Sequence, residues 1–478
     1  MKEEPSTVEN KTHQGQSPKS EGLPEGPLVC WYGDDFTGAA AVMEVLTFAG
    51  LPSILFLDIP TEEQLALFPE LRAIGVASTA RAQNPDWMDE HLPQAFSKLA
   101  QLGAQIIHYK VCTTLDSSPQ TGSIGRAIEL GAKVFEPEHI PVLVAAPQMR
   151  RYQCFGHLFA AANDTIFRLD RHPVMAKHPV TPMTESDVAA HIAKQTKKIP
   201  FYLVSLENLA DPDATMDSIV SKASDIPSAI TIDSMDASSE TLAGKLIWER
   251  RKSAKFVVGS QGVEYALIRH WQATGVIDPP PGVKGIGKAD KIAVVSGSVS
   301  PTTAEQIEWS RQNGFECILF DAASAVVSQS ALDKNIELTV DNALSAIERG
   351  ADPLIYTAAG PTDPAVARFN QYIETSGRAS SDVNKMIGTA LGKVLYQLVV
   401  KAGLKRAVIS GGDTSGYATQ QLGIFALSAL APTIPGAAIF KAHANGAMNG
   451  LQLALKGGQM GSKDYFAWVR DGGGPKTP

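Results

Sequence analysis

Residues 29–39 read VCWYGDDFTGA. A β-rich run ends at Gly33, two carboxylates follow at Asp34 and Asp35, and a helical pattern opens at Gly38. Strand, polar turn, helix is the building unit of α/β proteins, whose ligands collect outside the carboxyl ends of the strands. The pattern recurs along the chain. Strands are expected at 28–32, 53–57, 74–77, 105–110, 142–145, 202–205, 229–232 and 255–258, and again at 292–296, 317–320, 354–357 and 407–410. Many are nearly unbroken Val/Ile/Leu/Ala runs, as in strands covered on both faces. Segments 38–48 and 382–402 carry apolar residues at helical spacing. The expected fold class is α/β: two α/β domains with mainly parallel sheets and an active-site cleft between them.

A chain of 478 residues exceeds one ordinary core. Residues 278–290, DPPPGVKGIGKAD, have no apolar period and read as a linker. The expected division is a disordered tail at 1–27, domains at 28–277 and 291–470 joined by that linker, and a C-terminal tail at 471–478. The first 27 residues lack the apolar core of a secretory signal, and no apolar run reaches membrane-spanning length. Cys30, Cys112, Cys154 and Cys317 form no CxxC pair, which suits reduced thiols in a cytoplasmic protein. Lys plus Arg is 42 and Asp plus Glu is 50, so the net charge is 42 − 50 = −8. Such a surface disfavours nucleic acid and anionic membranes as partners, since no broad basic field displaces counterions. A homodimer is left open.

The strand ends carry the chemistry. One aspartate suffices to cap a helix, so one of Asp34 and Asp35 is free to take a hydroxyl proton or hold a metal. The run IHYKVCTTLDSSPQTGSIG, residues 107–125, crowds Lys110, Thr113, Thr114, Asp116, Ser117, Ser118 and Ser123 after a strand. These groups suit a polyol carrying a carboxylate, although an ordinary polar loop looks the same. Arg81 offers bidentate carboxylate binding. The segment RLDRHPVMAKHPVTPM, residues 168–183, places His172 and His178 six apart, which is not a helical metal spacing; it reads as an ordered loop lining the cleft.

The later half supplies glycine turns: IAVVSGSVSPT at 292–302 with Ser298, LIYTAAGPTDP at 354–364 with Gly360, and AVISGGDTSG at 407–416 with Gly411, Gly412, Asp413 and Thr414. ALKGGQMG at 454–461 adds Gly457. Glycines admit phosphates close to the backbone, and helix N-termini offer free N–H groups. None matches a P-loop or a full GxGxxG, and each also makes an ordinary tight turn. Together they point to a nucleotide, with Asp413 as a candidate Mg²⁺ ligand.

GDDFTGA, YKVCTTLDSSP, VSGSVSPTT, ISGGDTSG and LALKGG occur here in the order that resembles the four-carbon acid sugar kinase family, over residues 30–460. The resemblance implies an N-terminal acid-sugar-binding domain, a C-terminal ATP-binding domain, and phosphorylation of a terminal hydroxyl. It implies that Asp34, Asp35, Arg81, Lys110 and Asp116 face the sugar acid. It implies that Ser298, Gly411, Gly412, Asp413, Thr414 and Gly457 contact ATP. The string 110–118 is similar to the 3-oxo-tetronate kinase branch, and threonate, erythronate or a branched 3-oxo-isoapionate are alternative acceptors. On this reading ATP and Mg²⁺ are the cofactors, Asp35 ahead of Asp34 is the proton acceptor, and Ser117 joins the substrate-binding set. The rivals are a nucleotide-dependent dehydrogenase or aldolase, and a non-catalytic sugar-acid sensor.

Overall fold

The computed structural model describes residues 22–162, 164–178, 180–222, 226–280 and 282–476, with the side chains of Lys222 and Asp413 excepted. The tail expected at 1–27 lies outside the described residues as far as residue 21. The earlier half contains β1 (Val29–Gly33), β2 (Ser53–Phe56), β3 (Ala73–Ala77), β4 (Ile106–Lys110), β5 (His139–Leu143), β6 (Arg151–Cys154), β7 (His157–Ala162), β8 (Thr165–Arg168), β9 (Phe201–Val204), β10 (Ser228–Ile232) and β11 (Phe256–Gly259). The later half contains β12 (Ile292–Ser296), β13 (Phe315–Leu319), β14 (Asp352–Tyr356), β15 (Arg406–Ser410), β16 (Ile424–Ala431), β17 (Ile439–Ala444) and β18 (Gln452–Lys456).

The protein is α/β, and all twelve expected strands are present, eleven with shifted ends and β12 with the expected bounds. β1 lies between β3 and β4, parallel to both. Every β1 residue is buried, and alternate side chains serve opposite faces of the sheet: Val29 and Trp31 enter one apolar core, Cys30 and Tyr32 the other. Trp31 shows why Gly75 stands on β3. A Cβ there would sit 2.0 Å from the indole, whose Nε1 donates to the carbonyl of Ala39 at 3.0 Å.

The halves do not keep separate sheets. One sheet of 15 strands runs β13-β14-β12-β15-β18-β17-β16-β2-β3-β1-β4-β11-β5-β10-β9. The joint is antiparallel pairing of β16 with β2, Ala426 opposite Phe56 and Leu427 opposite Leu55, extended by Leu57 N–H donating to Phe425 O at 3.0 Å. One apolar core crosses this joint, from Leu46 and Trp271 to Leu391 and Leu427. The expected linker is also fastened. Ile286 N–H donates to Gly472 O, Ala289 N–H to Arg470 O, and Arg406 Nη1 to Gly287 O.

Three features escaped the sequence reading: a separate antiparallel sheet β6-β7-β8, the β16–β17 pair, and β18. The β6–β7 turn is Phe155-Gly156, with φ of 50° and 81°. Two successive positive φ values favour Asn-Gly or Gly-Gly, so Phe-Gly carries little turn signal. Asp233 supplies what the local sequence lacks, accepting Phe155 N–H at 2.5 Å and Gly156 N–H at 3.0 Å.

A second clasp joins the halves. The Phe36–Phe48 helix buries Glu44, whose Oε2 accepts Gly436 N–H at 3.1 Å. Burial pushes its pKa from 4.5 up to about 8, although the N–H groups of Gly436, Ala438 and Ala437 pull the other way. A carboxyl raised on folding contributes stability that is complete below its unfolded value and lost as pH rises to the folded one. Thermal melts from pH 5 to 8 should therefore show wild type losing ground to Glu44→Gln, which has no charge to bury. Parallel pH dependences for the two proteins would show that Glu44 does not titrate across this window.

Candidate functional site

Asp34 follows β1, Arg81 lies on a 3₁₀ turn (Ala80–Ala82) after β3, and Lys110 ends β4. The parallel strands therefore deliver three of the expected residues to one sheet edge. The main chain draws them closer: Asp34 N–H donates to Lys110 O, and Arg81 N–H donates to Asp34 O, both at 2.9 Å.

Asp35 caps the Phe36–Phe48 helix. Its Oδ1 accepts Gly38 N–H at 3.1 Å, and its Oδ2 accepts the Thr37 hydroxyl at 2.7 Å and lies 3.1 Å from Arg81 Nη2. Burial opposes its ionisation, but Arg81, Lys110, the Thr37 hydroxyl and Gly38 N–H together outweigh that and hold its pKa below the ordinary carboxylate value. For Arg81, burial works against the charge, and Asp35, Cys112, Asp34 and Asp116 together more than restore it, so its pKa is raised. Asp34 stands differently. It is 2% exposed, its Oδ1 has no hydrogen-bond partner among the described residues, and burial together with neighbouring Asp35 pushes its pKa up to about 7. Lys110 is fully buried and donates to Val111 O at 2.7 Å. A Cβ on Gly38 would sit 2.3 Å from Asp35 Oδ1 and 2.7 Å from Lys110 Nζ, so the ammonium and the helix start share space only glycine leaves.

Asp116 completes the group at its edge, 4.0 Å from Arg81 Nε. The Thr181 hydroxyl donates to it, and His178 Nδ1 lies 3.6 Å away. The 168–183 segment thus reaches the candidate site through His178 and Thr181. His172 is turned elsewhere, its Nδ1 accepting Val174 and Met175 N–H, both at 3.2 Å. Ser117 also points away. Its hydroxyl donates to Leu115 O at 2.9 Å and meets His191 Nε2 and Gln195 Nε2 at 3.0 and 2.9 Å.

Asp34, Asp35 and Arg81 line a cavity of ≈ 90 Å³ whose other wall is Gly412, Gly416, Tyr417 and Gln420 of the Gly412–Gln421 helix. Gly412 also borders a larger cavity of ≈ 340 Å³ lined by Ser298, Gly411, Thr414 and Gly458, with Asn370, Asn384, Phe369 and Ile387 farther along. The two expected ligand regions therefore meet at one residue. Gly411 has φ +121°, and its N–H donates to Lys456 O at 2.9 Å. A Cβ on Gly297 would meet Thr414 Oγ1 at 2.2 Å, and one on Gly458 would meet Ser298 Oγ at 2.4 Å. Gly360 and Gly457 do not line this cavity; Gly458, next to Gly457 in the chain, does. The Asp413 side chain lies outside the described residues, and among the described residues no three His, Cys, Asp or Glu side chains gather to hold a metal.

Two kinds of residue were missed. Tyr417 and Gln420 belong to a helix expected to serve only the other ligand, and no local pattern marks them. Lys456 sat inside a motif read for its glycines. It is fully buried, donates to Gly457 O at 3.1 Å and Thr303 Oγ1 at 3.4 Å, and burial pulls its pKa down to about 7.

A family model described as a sugar-binding N-terminal domain matches residues 29–267, and one described as a nucleotide-binding C-terminal domain matches 293–466. The chain is 42% identical over 450 residues to the 3-oxo-isoapionate kinase of Paraburkholderia graminis, covering 94% of this chain and 95% of that one. It is 26% identical over 444 residues to the 3-oxo-tetronate kinase of Pseudomonas savastanoi pv. phaseolicola, covering 92% and 96%. A solved structure from Salmonella typhimurium LT2 shares the fold with a TM-score of 0.73 and 23% identity, covering 92% of this chain and 98% of that one.

Gly38→Ala should lower the thermal midpoint. Overpacking typically costs ~1–3 kcal/mol, more than the ~1 kcal/mol an alanine gains over glycine inside a helix. A midpoint that rises would show that Asp35 and Lys110 yield the space freely.

Proposed function

The chain belongs to the four-carbon acid sugar kinase family, and we propose on that premise that its acceptor is a small 3-oxo sugar acid of the branched, 3-oxo-isoapionate kind. It is an ATP-dependent phosphotransferase acting on an alcohol group. One observation carries the reading: the carboxylate pair of one domain and the glycine turns of the other open onto cavities that share Gly412. A kinase needs that adjacency, because phosphoryl transfer depends mainly on positioning and electrostatics. The branched acceptor is favoured over a 3-oxo-tetronate by the 42% identity with the 3-oxo-isoapionate kinase, against 24–28% with the 3-oxo-tetronate kinases.

In this proposal Arg81 and Lys110 supply positive charge for the substrate carboxylate, with Asp116 orienting Arg81 and a substrate hydroxyl. Phe369 and Ile387 flank the adenine, whose polar edge meets Asn370 and Asn384. Gly411, Gly412, Ser298 and Thr414 hold the phosphates against the start of the Gly412–Gln421 helix, and Gly360 and Gly457 shape the adjoining turns. One of the two adjacent aspartates takes the acceptor hydroxyl's proton. Mg²⁺ would arrive mainly on the phosphates, which leave it needing only one or two protein carboxylates; Asp413 is the candidate, and the ion would offset phosphate charge. The small volume beside Asp34 favours exclusion of water from the transferring group. Among the described residues no helix is long and apolar enough to cross a membrane, and the proposed location is the cytoplasm, where ATP is available.

ADP release measured across a panel of four- and five-carbon sugar acids tests this. The branched 3-oxo acid should give the highest kcat/KM, and EDTA should abolish turnover. ADP release that no acid in the panel stimulates would overturn the reading. Gly411→Ala strains a backbone conformation that side chains avoid, at about 1–3 kcal/mol. Nucleotide Kd by calorimetry should rise about tenfold or more, and an unchanged Kd would remove this turn from the nucleotide site.

A further inference from the structure

Asp34 and Asp35 are neighbours in opposite chemical situations. Asp35 has given its carboxylate to two fixed donors, Gly38 N–H and the Thr37 hydroxyl, and to an ion pair with Arg81 Nη2. To accept a proton it would have to loosen the helix start and release the arginine. Asp34 is held by its main chain at both ends, through Lys110 O and Arg81 N–H. Its side chain is therefore placed without being used. It is 2% exposed and lines the cavity across from Gly412 and Gly416, and Oδ1 has no partner among the described residues. A buried carboxylate oxygen left unpaired is costly, and such groups collect where function requires them.

We infer that Asp34 is the general base for the acceptor hydroxyl and that Asp35 is a positioning residue holding Arg81 and the helix start. This rests on the kinase reading above. As the bond from the acceptor oxygen to the γ-phosphorus forms, the bond from that phosphorus to the bridging oxygen of ADP breaks. The O–H electron pair stays on the acceptor oxygen, and the proton passes to Asp34 Oδ1. ADP leaves with the bridging oxygen, and the protonated Asp34 returns its proton to solvent when the cavity reopens.

The electrostatics of the pocket support the division. Six titratable groups surround Asp34: Asp35 on its own turn, Arg81 from the segment after β3, Lys110 and Tyr109 on β4, Asp116 beyond it, and Tyr417 on the opposite wall of the cavity. Burial and then Asp35 raise its pKa to about 7, with Arg81 and Lys110 lowering it in part and Asp116 raising it. A base is most effective with a pKa near working pH. Because the ionised form is the active one, kcat/KM should climb from pH 6 to 8 and then level.

The test compares pH–rate profiles of wild type, Asp34→Asn and Asp35→Asn, with ATP and the preferred acid from the panel. Asp34→Asn should lower kcat by about 10²–10⁴, erase the limb near pH 7, and leave the ADP Kd by calorimetry within about twofold of wild type. Asp35→Asn should raise the KM for the acid and keep the limb. Formate should restore part of the rate to Asp34→Ala, which a merely structural aspartate would not allow. A limb that survives in Asp34→Asn and vanishes in Asp35→Asn would overturn the assignment, as would wild-type kcat in Asp34→Asn. Those results leave the kinase reading standing, whereas wild-type protein that releases no ADP with any acid removes both together.

Discussion

Everything at the candidate site depends on the main-chain pairing of β2 with β16. Two residue pairs and one further hydrogen bond make a single sheet from two domains. Each such bond contributes about 0.5–1.5 kcal/mol net, so the bonds alone are weak. Their importance is geometric, because they set where one apolar core continues into the next. Burial of the residues around them then stabilises the arrangement. The parallel strands of the two halves run in opposite directions along the sheet, since three antiparallel steps separate β2 from β18. Sheet twist of about 20–25° per strand over the six steps from β1 to β15 amounts to ~120–150° and largely undoes that reversal. Strand ends that would face apart in a flat sheet thus open onto adjoining cavities.

Each domain also places a fully buried lysine at the last residue of a strand. Lys110 closes β4 and donates to Val111 O; Lys456 closes β18 and donates to Gly457 O. The counter-charges differ. Lys110 has Asp35 and Asp34 beside it, and three acidic groups share the pocket with Lys110 and Arg81. Lys456 has the Tyr465 and Phe466 rings, each 6.0 Å away, and its pKa falls under burial alone. A buried ammonium without an anion is costly in a low-dielectric interior. The two halves thus bury their strand-end lysines differently, one among carboxylates and the other against aromatic rings.

Alternation, turn residues and strand-end motifs were enough to single out the strand ends that gather Asp34, Arg81 and Lys110, because they act on near neighbours in the chain. One of the two adjacent aspartates reads as a helix cap, with Asp35 favoured as the free one; in the structure Asp35 is the cap. Gly411 reads as a tight turn, and its φ of +121° bears that out. Ser117 was grouped with the site by proximity along the chain, yet its hydroxyl turns toward His191, 74 residues away. Phe155-Gly156 gives no turn signal because the carboxylate that stabilises it, Asp233, comes 78 residues later. Tyr417 and Gln420 look like an ordinary helix face until the β2–β16 joint sets them across from Asp34.

Local sequence therefore determined the α/β class, twelve of the eighteen described strands and the residue types at their ends, since backbone preference and alternation need only near neighbours. Tertiary structure alone decided that the strands form one sheet, and that a helix from the later half walls the cavity of the earlier. It alone separated the two adjacent aspartates, one saturated with donors and one left open. Burial and partner geometry are sums over residues far apart in the chain, and two identical side chains in succession carry no trace of how those sums will differ.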